Sequence, residues 1–374
     1  MKKVLITGVT GQDGSHMVDY LLSETNHKII GTARRLSVKN HENILHLEDE
    51  PRFELISMDL NDAHSIRDAI IDNQPDFFIN FAAQSFVAGS WEYPVQTWDT
   101  DANAILHILE SIRRFAPHCR FYNAGSSEEF GDVVFSPQNE SHPLRPQSPY
   151  GAAKCAARHI VRVYRESYNL FAIQGWLFNH EGTRRGLDFV TRKITNGIAK
   201  LKKALEIDEV LKYSKPKPKL PVLKLGNMNA QRDWGDAEDF MNGVWLMLNQ
   251  KDPKEYVLGS GTMHTVRDFV ELSLKSLNIP YKIEGEKETE KFTTMDGRVI
   301  VEVDPKFYRP AEVHKLCGDP SKAQAEINWK PKSSLEGLVK KMVTHDYKLL
   351  SPNYNMTEEN KRELTENLWK KLED

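Results

Sequence analysis

The 374-residue chain is 40% hydrophobic and 28% charged, with a formal net charge of −3, the balance of a chain that buries a large core in one domain or two closely joined ones. That charge leaves no electrostatic footprint for nucleic acid, and no apolar run reaches the roughly 18–20 residues needed to span a membrane. Three cysteines lack CxxC or Cys/His spacing, and Met1-Lys2-Lys3 precedes only three apolar residues, so a cytoplasmic protein with no metal site is expected.

In chain order, Val4–Thr7 reads as a buried strand. The turn Gly8-Val9-Thr10-Gly11-Gln12-Asp13-Gly14 and a helix to about Ser23 follow. Such a unit offers backbone N–H groups and a helix N-terminus to a pyrophosphate. The spacing is GxxGxxG, and its place straight after the first strand sets it apart from an ordinary glycine turn. Lys28–Ala33 is a second strand, followed directly by Arg34 and Arg35. Dinucleotide folds place an acidic residue here for NAD, or arginine for the 2′-phosphate of NADP. NADP is therefore expected, with Arg34 the better ligand and Arg35 open to a subunit contact; a solvated basic pair is the alternative.

Phe53–Met58 is strand three, and Asp59 and Leu60 end it. The carboxylate there could meet an adenine amino group or close a turn. Asn61 is expected to cap a helix to about Asp72. Phe77–Asn80, strand four, runs into Phe81, Ala82, Ala83, Gln84 and Ser85, where small residues either let backbone approach a cofactor or ease helix packing. Trp98–Phe115 reads as one long helix with a single apolar stripe.

Arg120–Ala124 is strand five, and Ser126, Ser127 and Glu128 follow at its carboxyl end, where open α/β sheets bind ligands. Tyr150 and Lys154 lie four apart on a helix expected to open after Ser148-Pro149 and run to about Tyr168, so phenol and ammonium share a face. A cation beside a phenol favours phenolate, and Tyr150 is expected to accept a proton near neutral pH. Phe171–Leu177 is strand six. Six strands alternating with helices indicate a doubly wound parallel α/β sheet.

Beyond Phe178 the alternation breaks. Asn179–Gly186 reads as a polar, Arg-bearing loop, and Phe189–Leu201 as a helix whose Arg192 and Lys193 suit a diphosphate, with scattered surface charge the alternative. Lys200–Lys224 reads as a Lys-rich surface insertion, Leu223–Gly226 as a short strand and Arg232–Asp236 as a polar-aromatic turn before a helix to about Leu248. Tyr256–Leu258 is a further strand, Thr265-x-x-Asp268 a capping box, and the last core helix lies near Leu335–Leu349.

TGxxGxxG with YxxxK resembles the extended short-chain dehydrogenase/reductases. Within them the chain is similar to the GDP-mannose 4,6-dehydratases, on rarer strings: Gly11-Gln12-Asp13-Gly14-Ser15, Arg34-Arg35, Ser126-Ser127-Glu128, Phe178-Asn179-His180-Glu181, Phe189-Val190-Thr191-Arg192-Lys193-Ile194, Leu225-Gly226-Asn227, Arg232-Asp233-Trp234-Gly235 and Arg309-Pro310-Ala311-Glu312. The resemblance implies a Rossmann-type NADP domain (1–178 plus about 231–260), a smaller discontinuous GDP-sugar domain (about 179–230 plus 261–350) and a polar tail (351–374). It makes Tyr150 the base, Lys154 its cationic partner, Glu128 the acid/base and Ser126 the hydroxyl on the sugar O4. Gly8, Thr10, Gly11, Gln12, Asp13, Gly14, Arg34, Arg35, Asp59, Leu60, Phe81 to Ser85, Tyr150, Lys154, His180 and Arg185 would hold the cofactor. Ser85, Ser127, Glu128, Asn179, Val190, Lys193, Leu225, Gly226, Arg232, Arg309 and Glu312 would hold the GDP-sugar. A homodimer or homotetramer is implied. Phe86, where the family usually has histidine, leaves room for a bulkier substrate such as GDP-manno-heptose, and a GDP-sugar reductase or epimerase is the other alternative.

Overall fold

A computed structural model describes residues 1–37, 40–210, 219–307 and 316–350. The chain forms two compact units. The first takes residues 1–184 and 233–263 and the described part of 313–333; the second takes the described parts of 185–232, 264–312 and 334 onward.

The first unit is built on β1 (Lys3–Thr7), β2 (Lys28–Ala33), β3 (Phe53–Ser57), β4 (Phe77–Asn80), β5 (Arg120–Ala124), β6 (Ala172–Leu177) and β7 (Val257–Leu258). They form one parallel sheet in the order β7-β6-β5-β4-β1-β2-β3. Five helices flank it: α1 (Gln12–Glu24), α2 (Ala63–Asn73), α3 (Ala104–Phe115), α4 (Pro149–Tyr168) and α5 (Ala237–Leu248). Because helices cover both faces, the central strands are apolar at successive positions. Val4, Ile6, Phe77 and Ile79 pack with residues of α1 and α5, whereas Leu5 and Phe78 pack with residues of α2, α3 and α4. The strand order reverses between β1 and β4, so a ligand crevice is expected at their carboxyl ends.

Several local expectations are revised. Asp62, not Asn61, caps α2, its carboxylate accepting the His64 N–H at 2.9 Å. The single helix expected over Trp98–Phe115 is Pro94–Trp98, a π turn over Asp99–Asn103, and α3. Gln231–Asp236 is a strand rather than a turn. Its Trp234, Gly235 and Asp236 run parallel to Asn179, His180 and Glu181 of the supposed polar loop. Polar side chains hid both strands, although Asp233 is fully buried and accepts N–H groups of Ser260, Gly261 and Gly318. Residues 316–333 lie in the first unit, where the buried Trp329 indole donates to the Asp239 carbonyl at 2.9 Å.

In the second unit, helices Val190–Val210, Val266–Ser276 and Leu335–Leu349 pack together. Strands Lys282–Glu284, Lys291–Thr293, Val299–Val303 and Leu223–Leu225 form a sheet in that order. Residues 200–210 are not a surface insertion but the last turns of a core helix, with Leu201, Ala204 and Ile207 buried. The lysines between them masked the helical period. The remainder of that Lys-rich stretch through 218, the tail 351–374, Arg309 and Glu312 lie outside the described residues. Arg192 is not offered to a diphosphate: it is buried against Asp346, at 2.6 Å, and Thr195 bonds the same carboxylate. Among the described residues, no helix is long and apolar enough to cross a membrane.

Candidate active site

The turn after β1 is made almost wholly of backbone. Gly8 sits at φ +71°, and a Cβ there would lie 2.8 Å from the Ala82 nitrogen; one on Gly14 would lie 2.3 Å from the Gly8 oxygen. Glycine is therefore required at both. The Thr7 hydroxyl donates to Asn80 Oδ1 (2.6 Å) and accepts the N–H groups of Phe81 (3.1 Å) and Ala82 (3.0 Å), fixing the β4 loop against the turn. Gly11 caps α1 with no side-chain hydrogen bond. The positive end of a 13-residue helix is thus left for an anion. This cradle fits the diphosphate of a dinucleotide.

Around it, Arg34 and Arg35 are exposed at the end of β2. Asp59 accepts the Asn61 N–H at 2.9 Å and so closes the turn after β3, while Leu60 is buried. Gln12 donates to Asp13 and to the His180 carbonyl. His180 faces Asp13 Oδ2 at 2.9 Å and the Phe178 carbonyl at 2.7 Å through its two ring nitrogens. His180 therefore anchors the Gly-rich turn to the end of β6.

The second half of the site is made of side chains. Ser126 caps a short 3₁₀ turn over Ser127–Glu129, its Oγ accepting the Glu128 N–H at 3.2 Å. Ser127 is buried and Glu128 half-buried. Ser148 caps α4 through the Gly151 N–H (3.0 Å), and Pro149 takes the first turn. A Cβ on Gly151 would lie 2.7 Å from the Glu128 oxygen, so the start of α4 is pressed onto the loop after β5. That contact brings Tyr150, buried, into a hydrogen bond with Ser126 and within the field of Glu128. Lys154, also buried, lies 5.7 Å from the Tyr150 ring centroid and donates to the Ala124 carbonyl at 2.9 Å.

The side chains around Tyr150 do not lower its pKa as the spacing implied. Burial, and after it the Asp101 carboxylate, push Tyr150 well above its ordinary value, with the Ser126 hydrogen bond pulling the other way. The Lys154 ammonium lies over the ring and bonds Ala124, not the phenol oxygen. Sequence reasoning missed Asp101. It is 1% exposed on the π turn, accepts the Gln84 N–H at 2.8 Å, and is pushed up to about 6 by burial, against the pull of Lys154. Its only signal was an aspartate on the apolar side of a helix.

Of the residues expected to bind substrate, Asn179 is half-buried on its short strand and Ser85 is exposed. Val190, Lys193, Leu225, Gly226 and Arg232 lie in the second unit. There the Lys193 ammonium sits 3.4 Å from the centroid of the Phe307 ring, and burial lowers its pKa against the opposing effect of Asp304. A Cβ on Gly226 would meet the Phe307 oxygen at 2.5 Å, so Lys193 and Gly226 share one neighbour. Leu225 is buried and Arg232 half-buried, Val190 opens its helix, and Arg185 stacks on Phe189 at 3.6 Å.

A sequence profile described as GDP-mannose 4,6 dehydratase matches residues 5–342. A GDP-mannose 4,6-dehydratase of Vibrio cholerae is 40% identical over 366 residues, covering 93% of this chain and 94% of that protein. Among solved structures, dTDP-glucose 4,6-dehydratase from Bacillus anthracis in complex with NAD superposes with a TM-score of 0.73 at 22% identity, covering 93% of this chain and 97% of the other. RMD from Pseudomonas aeruginosa, complexed with NADPH, gives 0.71 at 18% identity, covering 93% and 100%.

Proposed function

The chain belongs to the GDP-mannose 4,6-dehydratase family, and from that premise we propose that it is a hydro-lyase converting GDP-D-mannose to GDP-4-dehydro-6-deoxy-D-mannose and water. The observation that carries the chemistry is the joining of Ser126, Glu128, Tyr150 and Lys154 at the carboxyl end of β5.

The bound nicotinamide cofactor supplies a temporary store for the sugar C4 hydride, returned at C6, so none is consumed. NADP is the proposed form, held by the Gly8–Gly14 turn, Arg34 on the 2′-phosphate, Asp59 and Leu60 at the adenine, Phe81–Ser85, Tyr150, Lys154, His180 and Arg185. Both NAD and NADPH occur in neighbouring folds; the basic pair after β2 favours the phosphorylated one. Tyr150 would take the proton of the 4-hydroxyl while Ser126 bonds that oxygen; Lys154 and the positive nicotinamide together would offset the burial that raises the phenol's pKa. The resulting 4-ketone acidifies the C5 proton, which Glu128 removes and passes to the departing 6-hydroxyl, released as water. Tyr150, or a water, then reprotonates C5. Lys193, Arg232, Leu225, Gly226, Asn179, Arg309 and Glu312 are proposed for the GDP moiety.

Assembly as a homodimer or homotetramer is part of the proposal, supported by Trp91, Tyr93, Val95 and Trp98, all exposed on two consecutive short helices and the residue that joins them. Glu128 separates this reaction from simple reduction or epimerisation, which need only hydroxyl, Tyr and Lys. Glu128→Gln should lower turnover of GDP-mannose about 10²–10⁴-fold with NADP affinity retained, read by product mass and by cofactor titration. An unchanged rate would remove Glu128 from the chemistry.

A further inference from the structure

One buried polar group is not used by the reaction. Thr7 donates to Asn80 (2.6 Å), Asn80 to Asn123 (2.8 Å), Asn123 to Gln174 (2.7 Å), and Gln174 to Glu129 Oε1 (3.1 Å). The chain of amides thus crosses β1, β4, β5 and β6 and ends on a carboxylate. Glu129 is fully buried and ion-paired with Arg158. The guanidinium is held in turn by the Gln174 carbonyl (2.7 Å), Glu255 (2.9 Å) and the face of Trp176, whose ring centroid lies 3.4 Å away. Gln174 also donates to the Lys154 carbonyl at 3.0 Å. Glu129 Oε1 accepts the Ser126 N–H at 2.8 Å, and a Cβ on Gly125 would fall 2.7 Å from that same oxygen.

We propose that Glu129, fixed by Arg158 and Gln174, is a positioning residue that sets the Ser126–Glu128 turn relative to Tyr150 and Lys154. The inference rests on the acid–base reading above. A buried ion pair is no stronger a stabiliser than apolar residues of the same volume, so packing does not account for it. Its geometry does: one oxygen holds the backbone of the sugar-facing serine, and the same cluster holds the helix that carries the phenol and ammonium. Glu128 is the next residue along, and a displacement of the order of 1 Å at such a group costs about 10²-fold in rate.

The test is Glu129→Gln in the full chain, with Glu128→Gln beside it. The amide oxygen can still accept from Ser126, but the Arg158 fork loses its anion. The expected result is a kcat about 10–10²-fold lower, with KM for GDP-mannose within about two-fold and NADP affinity unchanged. Arg158→Lys, which keeps the cation and loses the fork, should give the same kcat-only loss and serves if Glu129→Gln does not fold. Folded variants with parental kcat overturn the positioning role while an inactive Glu128→Gln leaves the acid–base reading standing. Equal losses in kcat, KM and NADP affinity overturn it too, as the mark of general disruption. Parental activity in both Glu128→Gln and Glu129→Gln overturns the acid–base reading and this proposal together.

Discussion

Two helices of the same unit begin at the carboxyl edge of one sheet, and their N-termini are finished in opposite ways. Gly11 leaves α1 without a side-chain cap, on a turn where Gly8 and Gly14 permit backbone contacts that any Cβ would block. Ser148 closes α4, and everything behind it is buried side chain: Tyr150, Lys154, Glu129 and Arg158. An uncapped helix end attracts an anion. A capped one is a rigid platform from which residues four apart project together. The first region binds by shape and dipole; the second acts through placed proton donors and acceptors. Mutations should therefore separate them.

The largest expected effect lies on the side-chain half. Tyr150→Phe should lower turnover about 10²–10⁴-fold and NADP affinity by about tenfold at most, the loss of one hydrogen bond, measured by product mass and by equilibrium titration. Equal loss of both would break the division of labour. Gly14→Ala makes the converse demand on the backbone half. Overpacking costs about 1–3 kcal/mol, and if the cofactor-binding shape bears it, NADP should bind about 10–10²-fold more weakly. A methyl accepted there without loss would mean that the turn is not a tight cradle.

The smallest expected effect sharpens the comparison at Asp101, which bonds the loop beside the Gly-rich turn and whose charge reaches Tyr150 and Lys154. Its folded pKa, about 6, lies above the unfolded value. The folded state therefore holds this proton more tightly, and stability falls as pH rises from about 4 to 6. Asp101→Asn keeps an oxygen for the Gln84 N–H and should be about 1–3 kcal/mol more stable at pH 7, the gain vanishing below about pH 4. Urea unfolding at pH 4, 5 and 7 checks this, and a loss of stability at pH 7 would contradict it.

The sequence by itself determined the Gly-rich turn, the six strands that alternate with helices, the Ser148-Pro149 start of α4 and the Tyr150/Lys154 spacing. Each is a local matter: a backbone angle that only glycine tolerates, a run of apolar residues, a cap, four residues along a helix. Tertiary structure alone decided which polar residues are buried and with whom. Arg192 looked available for phosphate until Asp346, 154 positions away, took it. The sequence pattern did not single out Asp101 or Glu129, and Arg232–Asp236 looked like a turn. The proton affinity of Tyr150 also depended on neighbours brought in by packing, with burial first and Asp101 after it raising its pKa. Partners far apart in sequence leave no periodicity, so only the assembled sheet and helices could supply them.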